Sequence, residues 1–336
     1  MKGSQETEKI AALDIGSNSF HLIVAEGAAD GSVKVLEHAK RMVRLGESSL
    51  SEGTIPAEAF DRGIAAADEL SRVARAHRPD HILAVATSAV REATNGKDFV
   101  NAVRRHSDLP IHVLDGIEEG RLIYQGARQA LSLTGGRSAA LFDVGGGSTE
   151  AILGNRHQAL LCSSVKIGVL RLRQHWQRSD PPSQSDTAFM SEWVRTIMRP
   201  TIRRFKATGF DVVALTSGTA VQLARLVGEK LPSAAGVNRH RLTLQALRAC
   251  EHRLSNLTAA ERENVVGLDP ARVDTIVPGA VILRSLLELT EVHEALVCEA
   301  ALREGVIADY LARRFAAADD SMATGPAPDQ NAAQLT

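Results

Sequence analysis

The sequence predicts an α/β protein built as a duplication: two similar halves, each a mixed sheet flanked by helices, facing each other across an interdomain cleft. Three observations predict it. The chain has 336 residues, enough for two domains at roughly 150 residues each. Hydrophobic residues make up 44% and charged residues 24%, which is a globular balance and excludes a disordered, collagen-like or disulfide-scaffold chain. A pattern of apolar strand, Asp and Gly/Ser-rich turn also occurs twice. Ala11-Ala12-Leu13-Asp14-Ile15-Gly16-Ser17-Asn18-Ser19-Phe20 leads into Leu22-Ile23-Val24-Ala25. Ala140-Leu141-Phe142-Asp143-Val144-Gly145-Gly146-Gly147-Ser148-Thr149-Glu150 leads into Ala151-Ile152-Leu153, and Asp14 and Asp143 are 129 residues apart.

Each of these segments reads as a β-hairpin. The spacing of 129 recurs between Thr87 and Thr216, which end the apolar runs Ile82 to Ala86 and Val212 to Leu215, and between Ala59-Phe60 and Ala188-Phe189. A fourth echo, Val43-Arg44-Leu45-Gly46 against Val165-Lys166-Ile167-Gly168, slips to 122, as differing loop lengths permit. A repeat of this size is a duplicated domain rather than a solenoid.

In the first half a third strand is expected near Val33 to Val43. A helix follows from Pro56 to Ala76, with Thr54 as N-cap and Pro56 in the first turn. Its apolar positions Phe60, Ile64, Ala67, Leu70, Val73 and Ala74 keep helical spacing. Ile111 to Leu114 reads as a further strand. In the second half the matching helix starts near Asp186, and Pro200 is expected to kink or break it. From about Leu242 the chain reads as mostly helical. The halves are placed at 1–128 and 129–315, the last helix packing back on the first half. Residues 316–336, rich in Ala, Asp and Pro, read as a disordered tail.

Charge narrows the function classes. Lys plus Arg total 39 against 40 Asp plus Glu, a net charge of -1, so nucleic acid is not held by bulk positive charge. Aromatics at 4% argue against stacking platforms for single strands. A polyanion must be gripped by local features. Cys162, Cys250 and Cys298 are odd in number and form no C-x-x-C, which suits small buried residues in a reducing compartment. Met1 to Lys9 is polar, unlike a signal peptide, and the most apolar run, Thr275 to Leu287, is interrupted by Arg284. A cytoplasmic chain without membrane association is expected.

The turns carry the chemistry. Gly145, Gly146 and Gly147 leave backbone N–H groups bare at a strand end, and such groups form a nest for phosphate oxygens. Ser148 and Thr149 add hydroxyls. Asp143 and Glu150 flank the nest, and carboxylates beside a phosphate cradle suit Mg²⁺. Asp14 with Gly16, Ser17, Asn18 and Ser19 offers the same chemistry from the other half. No G-x-x-x-x-G-K-[ST] is present, so the cradle is not a P-loop. Thr87-Ser88-Ala89-Val90-Arg91-Glu92 opens a helix after a strand, and Arg91 there suits either a phosphate clamp or a surface ion pair. Ser217, Gly218 and Thr219 are the counterpart in the second half. In Asp115-Gly116-Ile117-Glu118-Glu119-Gly120, the glutamates suit either a solvated helix start or a general base at the cleft. Arg171, Arg173, Arg178, Arg199, Arg203, Arg204 and Lys206, with Arg195 at helical spacing, offer either a solvated basic face or a track for further phosphates; Lys166 and Arg44 are nearer the cleft by topology.

Together these stretches, with Gly267-Leu268-Asp269-Pro270-Ala271-Arg272-Val273-Asp274, resemble the exopolyphosphatase / guanosine pentaphosphatase (Ppx/GppA) family over about residues 8 to 315. The resemblance implies the actin-like ATPase (ribonuclease H-like) fold. It implies release of the terminal phosphate of inorganic polyphosphate, or of the 5′ γ-phosphate of guanosine pentaphosphate, with guanosine tetraphosphate as a related ligand. It places the catalytic glutamate at Glu119 and a second essential glutamate at Glu150. It puts Mg²⁺, with Mn²⁺ as the alternative, at Asp143, Glu150 and Asp14, and it implies a homodimer. The likeness is to the short, two-domain form, since longer members carry a further helical region with HD-type histidines.

Two readings of other classes compete. An actin-fold small-molecule kinase would share both turns and the Ser-Gly-Thr loop, although the Glu118-Glu119 stretch argues against it. A non-catalytic sensor of polyphosphate or the alarmone would bind without turnover, although Glu119, Asp143 and Glu150 argue against that.

Overall fold

The two hairpins that share a sequence pattern share a backbone. In the computed structural model, which describes residues 7–28, 32–228 and 237–323, β1 (Thr7–Ile15), β2 (Ser19–Ala28) and β3 (Val33–Met42) form an antiparallel meander. After α1 (Gly46–Glu52) and α2 (Ala57–Ala76), β4 (His81–Ala86) joins parallel to β1. After α3 (Ser88–Glu92) and α4 (Gly96–Ser107), β5 (Ile111–Val113) joins parallel to β4. The sheet order is β3-β2-β1-β4-β5. The chain then enters α5 (Gly116–Leu131) and repeats the scheme. The strands β6 (Ser138–Val144), β7 (Thr149–Asn155) and β8 (Ala159–Val165) form the second meander.

The second half continues through α6 (Val169–Trp176), α7 (Gln184–Thr208), β9 (Val212–Thr216), α8 (Ser217–Val227), β10 (Arg241–Thr243), α9 (Leu244–Ser255), α10 (Ala259–Arg262), α11 (Ile276–Thr290), β11 (Glu294–Val297) and α12 (Leu302–Ala323). Its sheet reads β10-β11-β9-β6-β7-β8. Helices cover both faces of each sheet, which is why the central strands read as continuous apolar runs rather than as alternation. Ile10 to Leu13, Leu22 to Ala25 and Ala139 to Phe142 are all buried.

Each half lends a helix to the other. The helix that follows β5, α5, packs along β7 and β8 of the second sheet, and α12, which follows β11, packs along β1 and β2 of the first. The two cross at Gly126 and Gly305. A Cβ on Gly126 would collide with the Ala301 carbonyl, and one on Gly305 with the Leu122 carbonyl. A core that includes Ile10, Ile23, Leu122, Leu141, Ile152 and Ile307 fills the space where both sheets meet these helices. Residues 128 and 129 lie inside α5.

Several local expectations change. Pro200 does not break α7, which runs through it. Met190, Val194, Met198, Ile202 and Phe205 are buried on either side of the proline, and this packing holds the helix across the missing N–H. The N-cap of α2 is Pro56, and the hydroxyl of Thr54 instead meets that of Thr94 at 2.7 Å. β10 and β11 lie within the stretch expected to be mostly helical. The helix α12 continues to Ala323, so the expected tail is helical over 316–323, while 324–336 fall outside the described residues. Among the described residues no helix is long and apolar enough to cross a membrane.

Candidate active site

Antiparallel pairing sets the functional side chains in register. Asp14 lies opposite His21 in the first hairpin, and Asp143 opposite Glu150 in the second. The turns of the two hairpins meet tip to tip. A Cβ on Gly146 would stand 3.1 Å from Ser17 Cβ and 3.5 Å from the Asn18 nitrogen, and one on Gly147 would stand 2.7 Å from Ser88 Oγ. A side chain at either glycine would crowd these neighbours, so the contact is made by bare backbone. Behind the contact lies a cavity of about 650 Å³.

Most of the residues singled out from sequence line it: Asp14, Gly16, Ser17, Asn18 and Ser19 from the first turn, and Asp143, Gly145, Gly146, Ser148 and Glu150 from the second. Glu119 arrives from the first turns of α5, and Ser217, Gly218 and Thr219 from the start of α8. Asp115 caps α5 by accepting from the Ile117 and Glu118 amides, both at 2.8 Å, which fixes where the helix begins. Glu118 turns outward to His112, so the pair divides into one surface acid and one cleft acid.

Three expected phosphate contacts sit elsewhere. Arg91 donates from Nη1 to Glu119 Oε2 at 2.7 Å and to the Leu114 carbonyl at 2.9 Å. It therefore orients the glutamate and is absent from the cavity wall. The hydroxyl of Thr149 donates to the Ile167 carbonyl at 2.7 Å and is wholly buried. Gly147 faces Leu50 and Ser88 rather than the cavity. The basic residues that topology placed near the cleft are held in ion pairs, most of them between the halves, Arg173 crossing to Glu47 at 3.2 Å. Arg171 holds both oxygens of Glu92 at 3.1 Å, Lys166 holds Glu92 at 2.9 Å, and Arg44 and Arg173 each reach Asp274 at 2.9 Å. On α7, Arg195 pairs with Glu288 and Lys206 with Glu291, while Arg199, Arg203 and Arg204 are exposed on the helix surface. Arg178 is exposed after α6.

The structure adds His21, Lys40, Arg272 and Arg303 to the cavity wall. His21 was findable, because it stands 129 residues before Glu150, at the repeat's own spacing. Arg272 lies in the Gly267 to Asp274 stretch, and its guanidinium covers Gly218, where any Cβ would collide with it. Lys40 and Arg303 reach the cleft through tertiary packing and have no local signature.

The two helix starts that face the turns differ. At α3, Ser17 Oγ accepts from the Ala89 amide at 3.2 Å and meets Ser88 Oγ at 2.9 Å, so the first turn of the hairpin closes that helix end. At α8, Ser217 adopts φ 87, a left-handed conformation that costs a non-glycine residue about 1–3 kcal/mol. Its hydroxyl donates to the Val144 carbonyl at 2.7 Å, which anchors the strained turn to the strand that carries Asp143.

Four carboxylates share the cleft floor. Burial, then Glu119 and Asp14, push Asp143 up to about 7. Burial raises Asp14 to about 7 as well, opposed by Arg303 and reinforced by Glu119 and Glu304. Glu150 is driven well above the usual range by burial, then by Glu119 and Asp143, although Ser164 donates to it at 2.8 Å. Burial raises Glu119 too, and Arg91 offsets part of this. Across the β1–β2 pair from Asp14, burial, then Arg303, holds His21 well below its ordinary value. Burial, then Arg272, lowers Lys40.

Like charges in a poorly hydrated site ask for a counter-ion. Asp14 Oδ1 is buried and, among the described residues, has no hydrogen-bond partner. Oxygen donors of this kind fit a hard divalent cation. Among the described residues no three His, Cys, Asp or Glu side chains converge as a complete cage. Mg²⁺ commonly keeps waters and takes substrate phosphate oxygens beside one or two carboxylates.

The profile of the Ppx/GppA phosphatase family matches residues 23–314. Exopolyphosphatase 1 of Mycobacterium tuberculosis is 32% identical over 301 residues, covering 89% of this chain and 87% of that protein. Exopolyphosphatase 1 of Mycobacterium leprae is 32% identical over 301 residues, covering 89% and 88%. The crystal structure of an exopolyphosphatase from Cytophaga hutchinsonii matches with a TM-score of 0.85 at 26% identity, over 91% of this chain and 98% of that one. The Aquifex aeolicus Ppx/GppA family member matches with a TM-score of 0.76 at 25% identity, over 92% and 99%. The paired sheets of these neighbours have the actin-like ATPase architecture found here.

Proposed function

The chain belongs to the Ppx/GppA phosphatase family, and from that premise we propose that it is an exopolyphosphatase, which hydrolyses the terminal phosphoanhydride bond of inorganic polyphosphate. The observation that carries the proposal is Glu119. A helix capped by Asp115 brings this buried carboxylate to the cavity between two glycine-bearing turns, where Arg91 fixes its orientation at 2.7 Å.

The terminal phosphoryl group sits against the backbone amide of Gly146 and the polar turn Ser17 to Ser19; the Gly145 amide, expected to be bare, instead donates to the Ser148 carbonyl at 3.0 Å and closes the hairpin turn. Glu119 accepts a proton from a water, and the water oxygen forms a bond to the terminal phosphorus. The bridging P–O bond breaks, the electron pair stays with the shortened chain, and one phosphate leaves. Amides held at fixed positions stabilise charge on the equatorial oxygens without reorganising, which is the main source of rate in phosphoryl transfer. Of the expected ligands Asp14, Asp143 and Glu150, one or two, together with waters, would hold the divalent cation, Mg²⁺ or alternatively Mn²⁺. When bound, it would neutralise the carboxylates and offset phosphate charge. The β7–β8 register sets Glu150 opposite Ser164, and that hydroxyl fixes one carboxylate oxygen.

Phosphate release from polyphosphates of several lengths and from guanosine pentaphosphate, with and without Mg²⁺, tests the reading. Metal-dependent release with a higher kcat/KM on polyphosphate is expected. No release from polyphosphate, or a higher kcat/KM on guanosine pentaphosphate, contradicts it.

A further inference from the structure

Arg303 is placed where helix electrostatics disfavours it. It occupies the first turn of α12, where the helix dipole presents its positive end and acidic side chains are preferred. Its side chain is only 21% exposed. Arginines behind the cavity wall are engaged in short ion pairs, Arg91 with Glu119 at 2.7 Å, Arg44 with Asp274 at 2.9 Å and Arg171 with Glu92 at 3.1 Å, whereas those on the wall have longer ones, Arg225 with Glu299 at 3.8 Å and Arg272 with Asp269 at 3.9 Å. The carboxylate partner of Arg303 among the described residues is Glu304 at 3.9 Å, and one oxygen of Glu304 already accepts from the Ala301 amide at 2.8 Å. The guanidinium therefore keeps donors available at the wall of the cavity.

The direction in which it is held is specific. Arg303 Nη1 lies 3.4 Å from His21 Nδ1, and His21 Nε2 lies 2.7 Å from Ser19 Oγ in the first turn. A neutral ring that accepts at Nδ1 and donates from Nε2 satisfies both contacts, and burial favours that neutral form. Asp14 and Asp143, one from each hairpin, both feel the positive charge of Arg303. Arg303 lines the same cavity as the residues of both turns and touches His21, so the guanidinium belongs to the space where the two turns converge.

We infer that Arg303 is a catalytic residue that donates to a non-bridging oxygen of the terminal phosphoryl group, and that His21 and Ser19 are positioning residues that aim it. The inference rests on the phosphatase reading above. It divides the work of two arginines: Arg91 orients the base, and Arg303 meets the charge on the group in transit.

Variants R303A and R303K, with phosphate release and orthovanadate binding as readouts, test this. Loss of one such donor lowers kcat by about 10²–10³-fold, with KM changed far less. R303K keeps the charge but loses the planar fork, and should still fall by more than about tenfold. Guanidinium ion added to R303A should restore part of kcat. Orthovanadate, a mimic of five-coordinate phosphorus, should bind R303A at least about tenfold more weakly than wild type. His21→Gln, which retains an acceptor, should lose less kcat than His21→Ala.

Phosphate release by the wild-type protein judges the functional reading alone, whereas vanadate binding judges Arg303 even without turnover. A kcat for R303K or R303A within about threefold of wild type overturns the inference. So does R303A that guanidinium does not rescue, or vanadate binding that is equal in R303A or absent from the wild type. Should R303A fail to fold, R303K decides.

Discussion

The two hairpins make the same backbone do different chemistry. Each ends a buried strand with an aspartate, Asp14 or Asp143, and each turns on a segment that touches the other. At the opposite register position one has His21 and the other Glu150. The helices that the halves exchange differ in the same sense: α5 brings Glu119, and α12 brings Arg303. The second hairpin thus gathers the acids, while the first is lined by His21 and, from the neighbouring strand, Lys40. Duplication supplies two strands and two turns at a fixed distance. The site's polarity comes from substitutions at equivalent places.

The sharpest way to break this comparison is to neutralise equivalent positions. Removing a positioned general base costs about 10²–10⁴-fold in rate. Glu119→Gln is expected in that range, and Glu150→Gln above about 10²-fold, while His21→Gln should lose less than about tenfold. Phosphate-release kinetics check all three, and equal losses at Glu150 and His21 would remove the division between the halves.

The next effect is on stability. Asp14 and Asp143 titrate at about 7 in the fold and near about 4 in an unfolded chain. Between those values the folded state binds more protons. Their contribution is therefore fully present below about 4 and is lost as the pH rises through about 7. Urea unfolding in a chelator should show lower stability at pH 8 than at pH 5.5, by about 1–3 kcal/mol after allowance for partial compensation. Asp143→Asn should flatten that dependence. A dependence unchanged in Asp143→Asn would show that the acids do not strain the cleft.

Much of this comparison was written in the sequence, and the exceptions share a cause. The strand–Asp–turn pattern is local, so the hairpins, the duplication and the turn acids Asp14, Asp143 and Glu150 were legible from spacing, whereas Glu119 was singled out from its pair by the family resemblance. For Arg91 the sequence left a phosphate clamp or an ion pair open, and could not show which carboxylate it meets, because its partners Glu119 and Leu114 are distant in sequence. Arg303 and Lys40 were not legible, since only the exchange of α12 and the sheet edge bring them in. The break allowed at Pro200 does not occur, because local rules count the lost N–H and cannot see Met198 and Ile202 anchoring the helix on both sides. β11 is four residues long, too short to show a period between helices.

Smaller effects sharpen how the halves are joined. Gly126→Ala or Gly305→Ala puts a methyl into the opposing backbone at the α5–α12 crossing, and either should cost about 1–3 kcal/mol, read as a lower urea midpoint. Wild-type stability in both would mean that the helices are free to separate. Arg91→Gln removes the cation that offsets the raised pKa of Glu119. A base must be ionised to act, so the acid limb of the kcat profile should move to higher pH, with a loss of about tenfold at fixed pH for each unit moved. An unmoved limb would detach Arg91 from the base.

The source of the oxygen in the product is the most direct test of the whole account. Tripolyphosphate turned over in ¹⁸O-labelled water with Mg²⁺ should yield free phosphate carrying one water oxygen per bond broken, and Glu119→Gln should slow that incorporation by at least about 10²-fold. Product phosphate without label, or label entering at the wild-type rate in Glu119→Gln, would contradict attack by a water activated at Glu119.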